Sequence, residues 1–326
     1  LPELAEIAAQ NHHIFKELQY LSNIDYKPIR YISFAHDEET YKALEASKAW
    51  SKAEMIAPKQ FREEISPYFN ANPKKYISAL VSEDCWQATP GKVVDLVRNL
   101  GIAAGGTVME DCRVLEACRE GKYTSVLVQT HDKKYVEYRT EHFVNALGSG
   151  AGKLCDSMGI DAGLYPVRHQ AFITRRLPML GKHGTNLDML IDRQDYKGFS
   201  AVYGQQIAYT GQIIGCASPK LDAMRIDKNL KVNTKAFLEI VSEMFSEWIP
   251  DLAGVGIQAV WAGYYTEPRY IVDPELGLFV GMRGHGFMLS QYIARMYVDK
   301  LLGRPVPEYF EKLKLNGPGL SEKAFK

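Results

Sequence analysis

The spacing of apolar residues changes along this chain between the period of a helix and the alternation of a strand, which predicts a mixed α and β protein. In residues 1–23, Leu4, Ile7 and Leu18 recur at close to the 3.6-residue period of an amphipathic helix. Residues 26–35 alternate instead as a half-buried strand does. The same criteria predict further helices over 37–52, 90–100 and 151–158. They also predict strands over 76–81, 107–114, 125–129, 135–138 and 141–148, with a loop over 83–88.

The middle of the chain, from residue 165 to about residue 255, has a different pattern in which strand-like runs dominate. The pattern predicts a helix from Asn233 to Trp248 after strands of one sheet at 166–174, 189–193, 199–204 and 207–216. These elements predict the fold class α+β.

A short strand, a glycine turn and a helix follow one another near the end of the sequence. Residues 278–280 are apolar, three glycines lie between residues 281 and 286, and apolar residues then continue at helical spacing to Leu301. Such a turn exposes backbone N–H groups at the positive end of the helix dipole, and glycine lets an anionic group approach closely. The alternative interpretation is a tight connection that only requires positive φ.

Composition excludes several classes of protein. The 39 basic and 39 acidic residues give a net charge of +0, whereas nucleic-acid-binding domains usually carry a basic face. The five cysteines form no Cys-x-x-Cys pair, which favours reduced thiols and a cytoplasmic location. No apolar run is long enough to predict a transmembrane segment. The pair His12 and His13 has no partners at metal-ligand spacing, so no metal site is predicted.

Three short motifs lie close together in segment 260–289. They are Val-Trp-Ala-Gly-Tyr-Tyr-Thr-Glu-Pro at 260–268, Ile-Val-Asp at 271–273 and Gly-His-Gly-Phe-Met-Leu at 284–289. Together they resemble the C-terminal signature of the FAD-dependent amine oxidoreductases. These are the relatives of D-amino-acid oxidase, including sarcosine oxidase, glycine oxidase and dye-linked L-proline dehydrogenase. The resemblance extends from about Leu4 to Lys314 and is most specific at 144–148, 165–172 and 260–289.

The resemblance implies two domains. A discontinuous α/β-type domain over 1–25, 75–165 and 255–326 would bind FAD, and a second domain over 26–74 and 166–254, with a mixed and largely antiparallel sheet, would bind the substrate. The pyrimidine end of the flavin would then face the helix start near Gly286, whose dipole stabilises the negative charge of the reduced flavin. The motif Gly-Ser-Gly-Ala-Gly-Lys at 148–153 matches neither a Walker A loop nor G-x-G-x-x-G on its own. The implied cofactor-binding residues are Val114, Ala146, Gly148, Gly281, Gly284, His285, Gly286, Phe287 and Met288.

The resemblance also implies oxidation of a small amino acid or N-substituted amino acid at its C–N bond, by hydride transfer to flavin N5. A substrate carboxylate is best bound by a buried guanidinium, which favours Arg283 and Arg269 over Arg168. Tyr265 and Tyr203 match positions that line the substrate cavity of sarcosine oxidase. The alternatives are a surface ion pair for each arginine and ordinary packing for each tyrosine.

Three positions depart from sarcosine oxidase. Gly263 replaces the cysteine that carries the flavin covalently, so a non-covalently bound FAD is expected. Met288 replaces a lysine that binds the substrate carboxylate. Ile213 lies near the position of a lysine that promotes reaction with oxygen, which favours a dehydrogenase over an oxidase. The electron acceptor stays open among oxygen, a quinone and a dye-like compound.

The βαβ unit with G-x-G-x-x-G that begins these family members does not occur in this sequence. We expect that it precedes Leu1, and a second polypeptide that supplies it is the alternative. Two other functions stay open beside amino-acid oxidation. One is a non-catalytic or electron-relay flavoprotein subunit of a hetero-oligomer. The other is oxidation of a glycerol-3-phosphate-type substrate, for which no basic cluster is evident.

Overall fold

Helices and strands alternate along the chain largely where the spacing of apolar residues predicts them. The computed structural model describes residues 2–70, 74–177, 180, 187–194, 199–207, 210–219 and 234–320. The α-helices in these ranges are α1 (Pro2–Leu21), α2 (Glu38–Ser47), α3 (Phe61–Glu64), α4 (Pro90–Ala103), α5 (Ala151–Ser157), α6 (Thr234–Trp248) and α7 (Gly286–Leu301). The predicted start of α6 at Asn233 lies outside the described residues.

The β-strands include the four predicted in the middle of the chain. In order they are β1 (Lys27–Ala35), β2 (Ala53–Ile56), β3 (Ser78–Gln87), β4 (Arg113–Glu120), β5 (Tyr123–Gln129), β6 (Tyr135–Thr140), β7 (Tyr165–Thr174), β8 (Met189–Asp192), β9 (Phe199–Ile207), β10 (Gln212–Pro219), β11 (Ile257–Glu267), β12 (Ile271–Asp273) and β13 (Leu278–Val280). Short 3₁₀ helices follow α2 at Lys48–Trp50 and occur at Pro58–Gln60, Gly148–Gly150, Pro250–Leu252 and Glu308–Leu313.

One large mixed sheet organises the middle of the chain. Its order is β11-β7-β10-β9-β8-β1-β3-β2, with β1 and β8 parallel and the neighbours β10–β9, β8–β9 and β1–β3 antiparallel. Alternate residues of its strands, such as Ile32, Val202 and Ile213, are buried in one core with the apolar side of α6. This period-2 burial is the reason that the alternating sequence forms a half-buried sheet. The mixed sheet together with the helices confirms the predicted fold class.

The chain divides into two compact units. Unit 1 comprises residues 1–26, 88–166 and 265–326, and unit 2 comprises residues 27–87 and 167–264. The first of the two domains implied by the resemblance includes residues 75–87 and 255–264, which here belong to unit 2. Residues 78–87 belong to unit 2 because β3 pairs with β1 along its whole length, from Lys27 opposite Gln87 to Ala35 opposite Ser78.

Unit 1 is built from helices around two small sheets. Strands β4, β5 and β6 form an antiparallel meander, and β12 pairs with β13. Helix α1 packs on α7, and Leu4 and Ile7 of α1 share a core with Ile293 of α7 and with Phe310. The predicted amphipathic character of the first helix is thus satisfied by α7 and by the C-terminal segment. No described helix has the length and apolar composition needed to cross a membrane.

Two strand predictions and one loop prediction in this sequence are wrong. The strand predicted over 107–114 begins only at Arg113. The predicted loop over 83–88 is wrong, because β3 continues to Gln87. The side chains there are largely exposed, as in a loop, but the backbone still pairs with β1.

The second wrong strand prediction is the one over 141–148. Only Asn145 forms a bridge, a parallel one to Leu278. Its N–H donates to the carbonyl oxygen of Gly277 at 2.7 Å, and its carbonyl accepts from the N–H of Phe279 at 3.0 Å. The apolar residues on either side, Val144 and Leu147, are exposed. The N–H of Leu147 donates to the Asn145 side chain at 3.2 Å, which turns the chain out of the strand direction.

Candidate functional site

The turn between β13 and α7 has a backbone that only particular residues tolerate. Gly281 has φ of +72°, and a Cβ atom at this position would overlap the carbonyl oxygen of Arg269. Arg283 also has positive φ, at +51°. The turn is closed by the N–H of His285, which donates to the carbonyl oxygen of Met282 at 3.1 Å. Glycine at 281 is therefore required both by conformation and by space.

The second glycine of the turn is covered by an aromatic ring. A Cβ atom at Gly284 would lie 2.6 Å from Cε2 of Tyr265, which is closer than real Cβ atoms approach. At Gly286 the corresponding atom would lie 3.0 Å from Cβ of Met282. The sequence predicted Tyr265 and Gly284 separately as site residues, and the structure brings them into contact.

Helix α7 begins at this turn without a side-chain cap. Its N-cap residue is His285, whose side chain makes no capping hydrogen bond to the first turn. The carbonyl oxygen of His285 accepts from the N–H groups of Met288 at 3.0 Å and Leu289 at 3.1 Å. An uncapped helix start of this kind presents N–H donors and the positive end of the helix dipole to whatever lies before it. That geometry suits an anionic group or a group that gains negative charge.

A buried ion pair lies beside the turn. Nε of Arg283 donates to Oε2 of Glu267 at 2.6 Å, and the two side chains are only 11% and 9% exposed. The N–H of Arg283 also donates to the carbonyl oxygen of Thr266 at 3.3 Å. The end of β11 and the turn before α7 are thus joined by both a side-chain and a backbone contact.

A neutral hydrogen-bonded pair lies next to this ion pair. The Tyr270 hydroxyl and Nδ1 of His285 are 2.8 Å apart. Burial, and then the charge of Arg283, lower the pKa of His285 to about 4, while burial raises the pKa of Tyr270 above its usual range. Near neutral pH both rings are therefore uncharged. This keeps the imidazole ring in place at the N-cap of α7 without adding charge there.

The guanidinium of Arg269 is directed at the backbone of the C-terminal segment. One of its terminal nitrogens donates to the carbonyl oxygen of Gly317 at 2.7 Å, and the other donates to the carbonyl oxygen of Leu315. Arg269 and Arg283 were predicted together as ligands of a substrate carboxylate. The structure gives them different partners.

The remaining predicted cofactor residues of unit 1 fall into two groups. Phe287 packs edge-on against Phe15 of α1, with 5.3 Å between ring centroids, and Met288 is exposed on the first turn of α7. The second group consists of Val114, which pairs with Val128 near the start of β4, and of Ala146 and Gly148, which are exposed around the 3₁₀ helix Gly148–Gly150. Their predicted contacts with a nucleotide stay predictions.

Tyr203 belongs to unit 2, where it lies in β9 between Ile191 of β8 and Cys216 of β10. Its side chain is half-buried on the face of the sheet opposite to the core residue Val202. The predicted role of Tyr203 in substrate binding stays a prediction. Among the described residues, no group of three or more His, Cys, Asp or Glu side chains has the arrangement of a metal site.

Two residues at the turn, Glu267 and Tyr270, were not predicted from the sequence. Glu267 lies within the motif at 260–268 and Tyr270 lies just after it. One signal was available for Glu267, since a carboxylate in a largely apolar segment usually needs a buried cation. The partner could not be identified from sequence, because Arg283 lies 16 residues away beyond the β12–β13 hairpin.

A family model described as DAO, FAD dependent oxidoreductase, matches residues 1–300. A search of curated proteins gives no match.

Solved structures with a similar fold include three amino-acid-oxidising enzymes. The L-proline dehydrogenase from P. horikoshii is 22% identical with a TM-score of 0.77, over 95% of this chain and 81% of that chain. The glycine oxidase from Geobacillus kaustophilus is 16% identical with a TM-score of 0.76, also over 95% and 81%. NikD, an unusual amino acid oxidase essential for nikkomycin biosynthesis, is 15% identical with a TM-score of 0.71, over 95% and 82%. At these identities the likeness establishes the fold.

Proposed function

Because the chain belongs to the family of FAD-dependent oxidoreductases, we propose that it oxidises a small amino acid or N-substituted amino acid at its C–N bond, with FAD as hydride acceptor. The family match confirms the resemblance from which FAD was predicted. The substrate class is supported by the similar structures that act on proline and glycine. The observation that carries the proposal is the uncapped start of α7 behind a glycine turn.

The residues at this turn fit the pyrimidine end of a flavin. Glycine at 281, 284 and 286 lets Arg269, Tyr265 and Met282 pack closely against the turn, which fixes the backbone that leads into the N–H donors of α7. Those donors and the helix dipole stabilise the negative charge that a flavin gains on reduction. Bound FAD supplies the redox chemistry, and the protein supplies orientation and charge. We infer that FAD is bound non-covalently, because Gly263, which replaces the flavin-linked cysteine, has no side chain to form a bond.

Arg283 is our candidate for the substrate carboxylate. Its side chain is nearly buried and lies in the turn that leads into α7. A buried guanidinium forms charge-assisted hydrogen bonds that are stronger than those at an exposed site. Because Glu267 already accepts from Nε, a substrate carboxylate would share this guanidinium with Glu267.

Tyr265 and Tyr203 are proposed to line the substrate site. The contact of the Tyr265 ring with Gly284 supports Tyr265, since it places the ring at the turn. Tyr203 is proposed from the resemblance alone. Arg269 is better explained as a structural residue, because its guanidinium already binds two backbone carbonyl groups of the C-terminal segment.

We propose a dehydrogenase rather than an oxidase. The lysine that promotes reaction with oxygen in sarcosine oxidase would fall near Ile213, which is buried in the core of unit 2. Its neighbours Gln212 and Ile214 are not basic either, so a shift of one residue does not restore the lysine. A quinone or a dye-like compound would then be the electron acceptor.

The test is anaerobic reduction of the bound flavin by a panel of amino acids. The purified protein is reconstituted with FAD and mixed without oxygen with L-proline, sarcosine, glycine and D-amino acids. We expect bleaching of the flavin absorbance by one class of these compounds, with reoxidation by a dye faster than by oxygen. Protein that binds FAD but is bleached by none of them would contradict amino-acid oxidation and support an electron-relay subunit.

Two arginine variants test the assignment within the site. Arg283→Met is expected to reduce the second-order rate constant for reduction of the flavin by the substrate at least about 100-fold, since a charged hydrogen bond to the substrate is lost. Arg269→Met is the matched control, because it also removes a guanidinium, but one that is bound to backbone carbonyl groups. Equal losses in the two variants would contradict the assignment of Arg283.

A further inference from the structure

We propose that Glu267 is a positioning residue that holds and neutralises Arg283, and thereby sets the reduction potential of the flavin. This inference rests on the proposed function, because it requires a flavin at the start of α7. Glu267 was assigned no role from the sequence. The structure places it in a buried contact with a residue of the turn itself.

The ion pair is fixed at both ends by its surroundings. Glu267 ends β11, and its neighbour Thr266 accepts a hydrogen bond from the N–H of Arg283 at 3.3 Å. Nε of Arg283 lies 2.6 Å from Oε2 of Glu267, within the range of a short charge-assisted hydrogen bond. Because backbone and side chain of Arg283 are both tied to 266–267, the guanidinium has little freedom to swing away from the carboxylate.

The hydrogen-bonded pair of His285 and Tyr270 adds no charge beside the ion pair. His285 and Tyr270 are both neutral near pH 7, since the pKa of the imidazole is lowered to about 4 and that of the phenol is raised. Arg283 alone would add a full positive charge to the partial positive charge of the α7 start. With Glu267 in place, the two side chains cancel and the helix dipole remains.

A change in this balance acts directly on the equilibrium between oxidised and reduced flavin. The reduced form carries additional negative charge, so a net positive charge nearby stabilises it and a net negative charge destabilises it. A group held at the same turn, in a site largely removed from water, is only weakly screened. Glu267 therefore keeps the potential lower than Arg283 alone would make it.

The experiment measures the midpoint potential of the FAD-bound protein and its variants by equilibration with a reference dye. Glu267→Gln retains an oxygen that accepts from Nε of Arg283, so the contact persists while the negative charge is removed. We expect its potential to become more positive, with the ratio of reduced to oxidised flavin at a fixed potential rising on the order of tenfold. Arg283→Met is expected to shift the potential in the opposite direction. The double variant should lie between the two single variants.

Glu141→Gln is the matched control, because it removes the same charge from the exposed pair of Lys122 and Glu141 at 2.9 Å. Its potential is expected to equal that of the unchanged protein. A Glu267→Gln protein with a lowered melting temperature and an unchanged potential would overturn the inference, and so would a shift equal to that of the control. If the unchanged protein is bleached by an amino acid in the same series, such a result leaves the proposed function intact. If the unchanged protein binds no FAD, the proposed function and this inference fail together.

Discussion

At the scale of the residue, the turn before α7 depends on the absence of a side chain at Gly281. Its φ of +72° is unfavourable for any residue with a Cβ atom, and the space for that atom is taken by the carbonyl oxygen of Arg269. The left-handed conformation alone costs about 1–2 kcal/mol for alanine. We therefore expect Gly281→Ala to reduce the free energy of unfolding by more than about 2 kcal/mol, measured by urea denaturation.

Gly263 provides the control for Gly281→Ala. It lies within β11, and no atom lies within 4 Å of the position that a Cβ atom would take. Gly263→Ala is expected to change the unfolding free energy by no more than about 0.5 kcal/mol. If both alanine variants are equally stable, the turn adopts another conformation in solution.

The residue scale also shows where sequence reasoning succeeds and where it ends. The requirement for glycine at 281 could be predicted, because three glycines between a strand and a helix are a local signal. The contact of Glu267 with Arg283 could not be predicted, since it depends on how the β12–β13 hairpin folds back. The different partners of Arg269 and Arg283 have the same cause. Two arginines near one motif look equivalent until their contacts are known.

At the scale of the element, α7 combines a stable body with an unfinished start. Its body is held by Leu289, Ile293 and Met296 in the core of unit 1. Its first turn has no capping side chain, although a cap contributes about 1 kcal/mol to a typical helix. A helix start without a capping side chain has backbone N–H donors that can bind a ligand.

Substitutions at the N-cap residue separate these two uses of the donors. His285→Asp introduces a side chain that accepts from the first-turn N–H groups and adds negative charge. His285→Asn provides a similar cap without the charge. We expect the aspartate variant to bind FAD at least about tenfold more weakly than the asparagine variant, measured by titration of the apoprotein with FAD. The apoprotein with aspartate should melt no lower than that with asparagine.

Both variants lose the contact of His285 with Tyr270, so their comparison isolates the effect of charge at the helix start. Equal affinities of the two variants for FAD would place the flavin away from α7. A melting temperature that is much lower for the aspartate variant would mean that the negative charge does not interact favourably with the helix dipole.

Elements also differ in how well their sequence defines them. The period of α7 and the alternation of β7 and β9 are local patterns, and these predictions are confirmed. The strand predicted from Ile207 is β10, which begins at Gln212. The segment 141–148 has the apolar composition of a strand, but only Asn145 has a pairing partner among the described residues. A strand depends on a neighbour, so composition alone overestimates it. The converse holds for 83–87, whose polar sequence is paired with β1.

At the scale of the whole molecule, distant parts of the chain are joined by buried polar contacts. In unit 2, Asp192 at the end of β8 is fully buried and accepts from Nε1 of Trp248 in α6 at 3.3 Å. Nε2 of His36 lies 2.8 Å from Oδ1 of Asp192, and Nδ1 of His36 lies 2.7 Å from the carbonyl oxygen of Lys75. Both of these partners are acceptors, and the side-chain amide nitrogen of Gln194 lies 3.1 Å from Nδ1 and 3.2 Å from Nε2. Against the lowering effect of burial, the hydrogen bond to Asp192 and its charge raise the pKa of His36, which favours the charged imidazole.

Domain boundaries belong to this scale. The resemblance implies a first domain that includes β3, whereas β3 lies in unit 2 because it pairs with β1, and strand pairing is not encoded in the spacing of apolar residues. The network at Asp192 was not predicted at all, since His36 and Asp192 lie 156 residues apart. Whether residues so far apart in the sequence meet depends on the order of the strands in the sheet. The same pattern of apolar residues is compatible with several strand orders.

The charged state of His36 makes the stability of the protein dependent on pH. Burial by itself lowers the pKa of His36, but the hydrogen bond to Asp192 and its charge outweigh burial and raise it above 6.5. The contact therefore contributes fully below about pH 6.5, the value in the unfolded chain, and its contribution is lost as pH rises through the raised pKa of the folded state. We expect His36→Gln to reduce the free energy of unfolding by about 1–3 kcal/mol at pH 6 and by less at pH 9, measured by urea denaturation.

His131→Gln, at an exposed histidine in the turn between β5 and β6, should leave the free energy of unfolding unchanged at both pH values. A deficit of His36→Gln that is the same at pH 6 and pH 9 would mean that the imidazole is neutral in the folded protein, and the donor at Nδ1 or Nε2 would have to be reassigned.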